Sequence, residues 1–274
     1  METRETMLPP WIVHPHAPES SAAEEYLRAW EKWLGQLSKA DSLEYTKRFP
    51  MPFTWLTTPA GSGTDIIREA YASGIRASEC CTKQKYTREK LQAAWLAGER
   101  GTMHYFWGHH PAKDGRLTSS CFSQWWTADF WYEGEKYCCM EQVMMAGKAR
   151  LFRDEEVRQK IMQSTDPAII KKLGRQVKGF DQETWNRHKF SLILRGNYCK
   201  FTSDPDLRAY LLGTGDEILV EASPYDTIWG IGLAANNEQA ADPSQWRGEN
   251  LLGFALMQVR DEIRKVFDNA VSCM

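Results

Sequence analysis

From residue 140 onward the chain carries six segments with helical apolar spacing and only one with strand character, and that imbalance limits the fold class more than any other feature. Helices are predicted at 140–152, 155–164, 167–173, 182–194, 205–212 and 250–267, and the strand at 218–222. Upstream, 104–107, 130–132 and 136–138 read as short β segments, the last two joined by a tight turn at Glu133-Gly134. A few short strands among so many helices predict a mainly helical α+β domain.

The first hundred residues have a different texture. A proline-rich start through residue 19 reads as an extended arm, and Ser21-Ala22-Ala23-Glu24 then forms a capping-box pattern. Ala23, Tyr26, Leu27, Trp30, Leu34 and Leu37 follow at helical spacing. Pro50, Pro52 and Pro59 interrupt the next stretch, after which 64–72 and 87–97 read as short helices, the second closed by Gly98. The expected division is therefore 1–101 as a helical extension and 102–274 as the domain that bears the chemistry.

Charge and cysteine content narrow the function. Thirty-four Lys and Arg against 36 Asp and Glu give a net charge of −2, which supplies no overall field for tight sequence-independent DNA binding. No apolar run approaches the ~20 residues of a membrane span, and the N-terminus lacks a secretory pattern. An intracellular, cytoplasmic location without membrane association is expected. The seven cysteines contain no C-x-x-C pair, so reduced and mostly buried thiols are expected rather than a zinc site. His109-His110 lacks a third ligand and reads as an exposed turn, and Gly61-Ser62-Gly63 as a plain loop. Neither metal nor cofactor is expected. Twelve tryptophans are an unusual number, and they could belong to the core or wall a pocket for a flat ligand.

Four stretches offer chemistry. On a helix over 140–152, Met140, Val143, Met144, Gly147 and Leu151 form an apolar seam. Glu141 and Lys148 fall within about 20° of each other beside that seam, their Cα atoms separated by about 10.5 Å of rise, roughly the width of a pentose. After the strand at 218–222, Asp226, Trp229, Gly230 and Gly232 make a loop where backbone can approach a ligand and an indole can stack. Trp185 and Lys189 stand one turn apart on another helix. Gly248-Glu249-Asn250 precedes the last helix, so Asn250 is an N-cap candidate with N–H groups behind it suited to a phosphate.

Together these stretches resemble the NADAR family, whose YbiA-like members include N-glycosidases. The matching segments are Phe122-Ser123-Gln124-Trp125, the run Met140 to Ala149, Leu173-Gly174-Arg175, Trp185 with Lys189, and Lys200-Phe201. They continue with the run Val220 to Gly230, Gly248-Glu249-Asn250-Leu251-Leu252-Gly253, Leu256-Met257 and Arg260. The resemblance implies a YbiA-like fold over about 104–265 and cleavage of the bond between ribose C1 and a nitrogen. It implies a small nucleotide-like substrate or ADP-ribosylated nucleic acid, through removal of ADP-ribose from guanine bases or hydrolysis of riboflavin-pathway intermediates.

Carried over residue by residue, the resemblance places function on Glu141, Lys148, Trp185, Asp226 and Trp229. The expected catalytic set is Glu141, Lys148 and Asp226; the expected substrate contacts are Phe122, Ser123, Arg175, Trp185, Trp229, Gly230 and Asn250. Lys148 is expected either to attack C1 as an amine or to hold phosphates as a cation. Lys171, Lys172, Arg175 and Lys178 form a local basic cluster. The competing reading is a non-catalytic module that only binds ADP-ribose. Val143 stands where the family commonly has an aromatic residue, and 1–101 has no counterpart in the minimal family domain.

Overall fold

The computed structural model describes residues 6–14, 21–49 and 84–271. The segments read as a loop at 61–63 and a helix at 64–72, and Cys80, Cys81 and Cys273, lie outside the described residues. The described residues group into two compact units. One holds those up to position 82 with 133–135 and 261 onward, and the other holds 83–132 and 136–260.

In the first unit, α1 (Pro10–Val13), α2 (Ser21–Leu34) and α3 (Lys39–Arg48) surround an aromatic core. Trp11 and Trp30 are fully buried with ring centroids 5.5 Å apart. The Trp30 indole N–H donates to Tyr45 Oη at 2.8 Å, and that hydroxyl donates to the Met7 carbonyl at 2.9 Å. The start of the chain thus departs from the expected extended arm. Pro10 fits the first turn of a helix, and burying Trp11 stabilises that turn. Beyond α2, Ser38 caps α3 through the Asp41 N–H, which shows that the turn at 35–38 starts a second helix.

The second unit contains α4 (Arg88–Leu96), β1 (Met103–Phe106), β2 (Phe130–Tyr132), all but the first residue of β3 (Glu135–Tyr137), α5 (Met140–Leu151), α6 (Glu155–Met162), α7 (Pro167–Gly174), α8 (Gln182–Ser203), α9 (Pro205–Gly213), β4 (Ile218–Glu221) and the start of α10 (Leu251–Val271). This is a mainly helical α+β arrangement. β2 and β3 form a hairpin whose Glu133 and Gly134 both have positive φ, as a two-residue primed turn requires.

Asp154, Asp166, Asp181 and Asp204 each cap the following helix through a side-chain oxygen. α8 runs nine residues past its expected end at 194. Gly196 lets α8 lie against α5: a Cβ there would fall 2.6 Å from Met140 Cε and 3.0 Å from Val143 Cγ1.

α5 is the central helix, packed on α6, α7 and α8, with Met140 to Ala146 all buried. It has almost no solvated face. β1 and β4 pair in parallel, placing Phe106 opposite Glu221 at their carboxyl ends. The Asn250 side chain locks α10 to this ladder, accepting from the Glu221 N–H at 2.9 Å and donating to the Leu219 carbonyl at 2.9 Å. Gly253 has Leu219 O so close that any Cβ would overlap it.

Cys121, Cys139 and Cys199 are buried free thiols and Cys138 is half-buried. Burial pushes the Cys121 thiol up to about 12, so it stays protonated.

Lys200 is fully buried, and its Nζ donates to the Cys121 carbonyl at 2.6 Å and the Ser123 carbonyl at 3.0 Å. These bonds fix the short 3-10 turn Ser119–Phe122 and the residues after it. Burial holds the ammonium down at about 8. The folded chain therefore binds fewer protons than the unfolded chain between about 8 and the ordinary lysine value, and wild-type stability rises with pH across that window. Lys200→Met is expected to lower the melting temperature by several degrees at pH 7, since hydrogen bonds to a charged donor contribute about 1.5–3 kcal/mol each. The rise above pH 8 should vanish in the variant; thermal melts at several pH values check both effects.

Candidate active site

The carboxyl ends of β1 and β4 open into a cavity of about 730 Å³ within the second unit. α5 forms its floor, contributing Glu141, Met144, Met145 and Lys148, while α7 and the residue after it contribute Lys171, Gly174 and Arg175. Trp185 comes from α8, Ser123, Gln124 and Trp125 from the loop held by Lys200, and Ser223, Asp226 and Trp229 from the loop after β4.

Glu141 is 2% exposed. Its backbone N–H donates to Gln124 O at 2.8 Å, and its Oε2 accepts from the Trp125 indole N–H at 3.2 Å. Its Oε1 is enclosed and has no hydrogen-bond partner among the described residues. Burial raises this carboxyl to about 7, opposed by Lys171, by the Trp125 hydrogen bond and by Arg175, and reinforced by the negative charge of Asp226. A carboxyl poised near neutrality can exist as acid or base at physiological pH.

Lys148 borders the same cavity from two turns along α5. Its Nζ donates to the Gly174 carbonyl at 2.9 Å and lies 4.2 Å from the centroid of the Phe180 ring. Burial lowers the ammonium below the ordinary lysine value. The expected edge shared by Glu141 and Lys148 exists, but it faces a cavity inside the fold rather than open solvent.

Asp226 shapes its own loop. Its Oδ1 accepts from the Ile228 N–H at 2.8 Å and the Trp229 N–H at 2.7 Å, which turns the Trp229 indole into the wall. The Ser223 hydroxyl in turn accepts from the Asp226 N–H at 3.2 Å. Trp229 is buried and Trp185 half-buried, so the two indoles form walls of different depth. Trp107 and Tyr225, 57% and 86% exposed with ring centroids 6.3 Å apart, stand at the mouth.

Ser123, Glu141, Lys148, Arg175, Trp185, Asp226 and Trp229 thus meet around one cavity, whereas Phe122, Gly230 and Asn250 do not line it. The 3-10 turn directs Phe122 into an aromatic cluster with Phe106, Phe201 and Tyr210, so Gln124 and Trp125, two and three residues later, face the cavity instead. Gly230 serves close backbone approach: a Cβ there would lie 2.7 Å from Glu221 O.

The expectation of a phosphate at the start of the last helix is corrected. Asn250 sits at φ 54, and the N–H groups of Asn250, Leu251 and Leu252 donate to the carbonyls of Gly230, Ile228 and Trp229. Those donors are consumed by the loop. Of the basic cluster, Lys171 and Arg175 reach the cavity, while Lys178 pairs with Glu156 at 3.4 Å on the surface.

His109 and His110 also border the cavity; His110 is exposed, as expected of the turn, whereas His109 is half-buried. Their rings lie 4.2 Å apart and His109 packs 5.3 Å from Trp125. Burial, then the neighbouring His110, lowers the His109 value and favours its neutral form. Among the described residues no group of three or more His, Cys, Asp or Glu side chains is arranged to hold a metal ion, and no helix is long and apolar enough to cross a membrane.

Sequence reasoning missed Glu221 as a site residue. It lies at the end of β4 and borders the cavity, with Oε2 enclosed and without a hydrogen-bond partner among the described residues. Burial raises its carboxyl to about 8, reinforced by Asp226 and Glu141 and opposed by Lys171. An acidic residue closing an otherwise apolar strand was the available signal. Lys171 was noted only as part of a surface cluster, yet its Nζ lies 5.5 Å from the centroid of the Trp125 ring and acts on both carboxyls.

A mainly helical frame, with a short parallel ladder opening onto an acid- and indole-lined cavity, defines the class: the model described as the NADAR domain matches residues 105–264, and this chain belongs to that family. Among individual proteins, it is 43% identical over 158 residues to N-glycosidase R617 of Acanthamoeba polyphaga mimivirus, a match covering 56% of this chain and 93% of that one. It is 32% identical over 143 residues to the chloroplastic riboflavin biosynthesis protein PYRR of Zea mays, covering 51% of this chain and 20% of that protein. The NMR structure of the E. coli protein YbiA aligns over 60% of this chain and 86% of its own, with 22% identity and a TM-score of 0.47.

Proposed function

We propose that this chain is an N-glycosidase that hydrolyses the ribose C1–N bond of an ADP-ribosyl or phosphoribosyl compound. The observation that carries the reading is the convergence of a buried carboxyl, a half-buried one, an amine of lowered basicity and two indoles around one cavity of about 730 Å³. Breaking an N-glycosidic bond develops positive charge on the sugar, so the site needs negative charge near C1, a proton for the departing nitrogen and a nucleophile. Glu141 and Asp226 supply the negative charge. Trp185 and Trp229 flank the ribose or base and exclude bulk water, and Arg175 with Lys171 meets the phosphates. The N-glycosidase name of the mimivirus relative, which is matched over nearly its whole length, supports the same reaction class.

Lys148 attacks C1 as a neutral amine in this scheme. The C1–N bond breaks with protonation of the leaving nitrogen, the ribose opens to an iminium on Nζ, and water then hydrolyses that iminium to return the amine and a free sugar. Borohydride added during turnover is expected to trap a covalent protein–sugar adduct, and Lys148→Ala to abolish it. An adduct that survives the substitution overturns the amine's role.

The substrate proposed is either guanine carrying ADP-ribose or a phosphoribosylated intermediate of riboflavin synthesis, the second supported by the partial match to the Zea mays protein. Mass analysis of ADP-ribosylated guanosine oligonucleotides and of phosphoribosylated pyrimidines, each incubated with the protein, distinguishes them by which loses its ribose. The exposed ring pair at the mouth suits a base flanking the modified nucleotide.

A further inference from the structure

We propose that Glu221 is a second catalytic carboxyl of this cavity, the acid that protonates the departing nitrogen while Glu141 serves as the carboxylate. The inference rests on the N-glycosidase reading and adds to it a division of labour between two acids of the cavity.

Geometry sets Glu221 apart first. It is the last residue of β4, placed beside Phe106 across the parallel ladder, and both residues border the cavity. Its backbone is pinned on both sides: the N–H donates to Asn250 Oδ1 at 2.9 Å, and the carbonyl accepts from the Ile231 N–H at 2.9 Å. The strand end therefore cannot shift without breaking the join to α10 and to the loop of Trp229. A backbone held this rigidly fixes where the side chain starts, and proton transfer requires a positioned donor.

The two carboxyls differ in their partners. Each has one enclosed oxygen without a partner among the described residues, Glu141 Oε1 and Glu221 Oε2, but the other Glu141 oxygen accepts from the Trp125 indole, a contact that favours the ionised form of Glu141. The charged groups acting on Glu221 are Asp226 in the loop that follows it, Glu141 on α5 and Lys171 on α7. The cavity's other titratable edges are Lys148, tied to the Gly174 carbonyl, Arg175, which lowers Glu141, and His109, favoured neutral. Two negative charges in one enclosed space oppose each other, so the proton stays on the member with less support for its charge. The higher value of Glu221, about 8 against about 7, follows that order.

The step balances. Glu221 gives its proton to the leaving nitrogen as the C1–N bond breaks, and Glu141 takes a proton from the water that finally supplies the sugar hydroxyl. Transfer between the carboxyls restores the starting state, and the net change is addition of one water across C1–N.

The test is the pH profile of kcat/KM on a ribosyl compound that the wild-type protein cleaves. Wild type should give a bell whose falling limb, near 8, belongs to Glu221 and whose rising limb reflects loss of protons from Glu141, near 7, and from the Lys148 amine. Glu221→Gln should lower the rate about 100-fold and erase the alkaline limb while keeping the acid limb. The deficit should shrink as the leaving nitrogen becomes less basic and needs less protonation. Glu221→Asp, if the Gln variant does not fold, should retain an alkaline limb with a reduced rate. An alkaline limb unchanged in Glu221→Gln, or an equal deficit across leaving groups, overturns this assignment alone, as does a wild-type profile that is flat above pH 7. If the wild-type protein releases no base from any ribosyl compound, the N-glycosidase reading falls and this assignment falls with it.

Discussion

Glu141→Gln is expected to reduce the rate of base release by about 10²- to 10⁴-fold while the fold remains intact. The side chain is 2% exposed, and glutamine matches its shape, so an amide oxygen can still accept from Trp125 at the 3.2 Å contact. What disappears is the ionisable carboxyl facing the cavity. The same substitution should raise stability at alkaline pH. Burial holds the Glu141 carboxyl at about 7, above its unfolded value near 4.3, so the folded chain retains a proton that the unfolded chain has released. This contribution is fully present below the unfolded value and is lost as pH rises through 7, amounting to about 4 kcal/mol. Melts at pH 8 to 9 should therefore place the variant above wild type by several degrees, with little difference at pH 5. Lost activity together with a gained melting temperature separates a functional carboxyl from a structural one.

The largest stability effect is expected at Asn250. Asn250→Ala removes both side-chain bonds to β4, the 2.9 Å contacts with the Glu221 N–H and the Leu219 carbonyl, and leaves those buried backbone groups unpaired at about 1–3 kcal/mol each. It also places a Cβ without a compensating side-chain bond at φ 54, which costs about 1 kcal/mol more. The sum, roughly 3–7 kcal/mol, rivals the whole stability of many domains. Asn250→Gly relieves the backbone strain but not the unpaired groups, so it should recover only about 1 kcal/mol. Urea titrations of the two variants measure the difference directly. Because the Glu221 backbone is anchored by this side chain, residual activity should fall further than the folded fraction alone accounts for.

The sequence made the helices legible because each carries its own period and its own cap. Asp154, Asp166, Asp181 and Asp204 mark four starts, and the apolar seam of α5 lies where its spacing put it. What local patterns could not show was depth. α5 reads as a surface helix with one wet edge, yet helices α6, α7 and α8 enclose it, and only that enclosure makes Glu141 a perturbed acid. The end of α8 was misplaced for the same kind of reason: Gly196 becomes a contact point only once α5 lies across it.

The site was legible where a side chain reaches the cavity from a regular element or a short turn, as Glu141, Lys148, Trp185 and Trp229 do. It was illegible where irregular backbone sets direction. The 3-10 turn before Ser123 buries Phe122 and brings Trp125 to the cavity, and no periodicity encodes that rotation. Asn250 was read as a cap that leaves N–H groups open, but carbonyls from a loop twenty residues earlier occupy them. Glu221 passed unnoticed because one acid at a strand end acquires meaning only beside Asp226 and Glu141.

Mass spectrometry of a ribosyl compound followed over time with the wild-type protein tests the central claim most directly. The account predicts that free base and free sugar accumulate in equal amounts, from the ADP-ribosylated guanosine or the phosphoribosylated pyrimidine. A compound that binds saturably, with measurable heat, yet stays intact through prolonged incubation would contradict it and leave a module that only recognises its ligand.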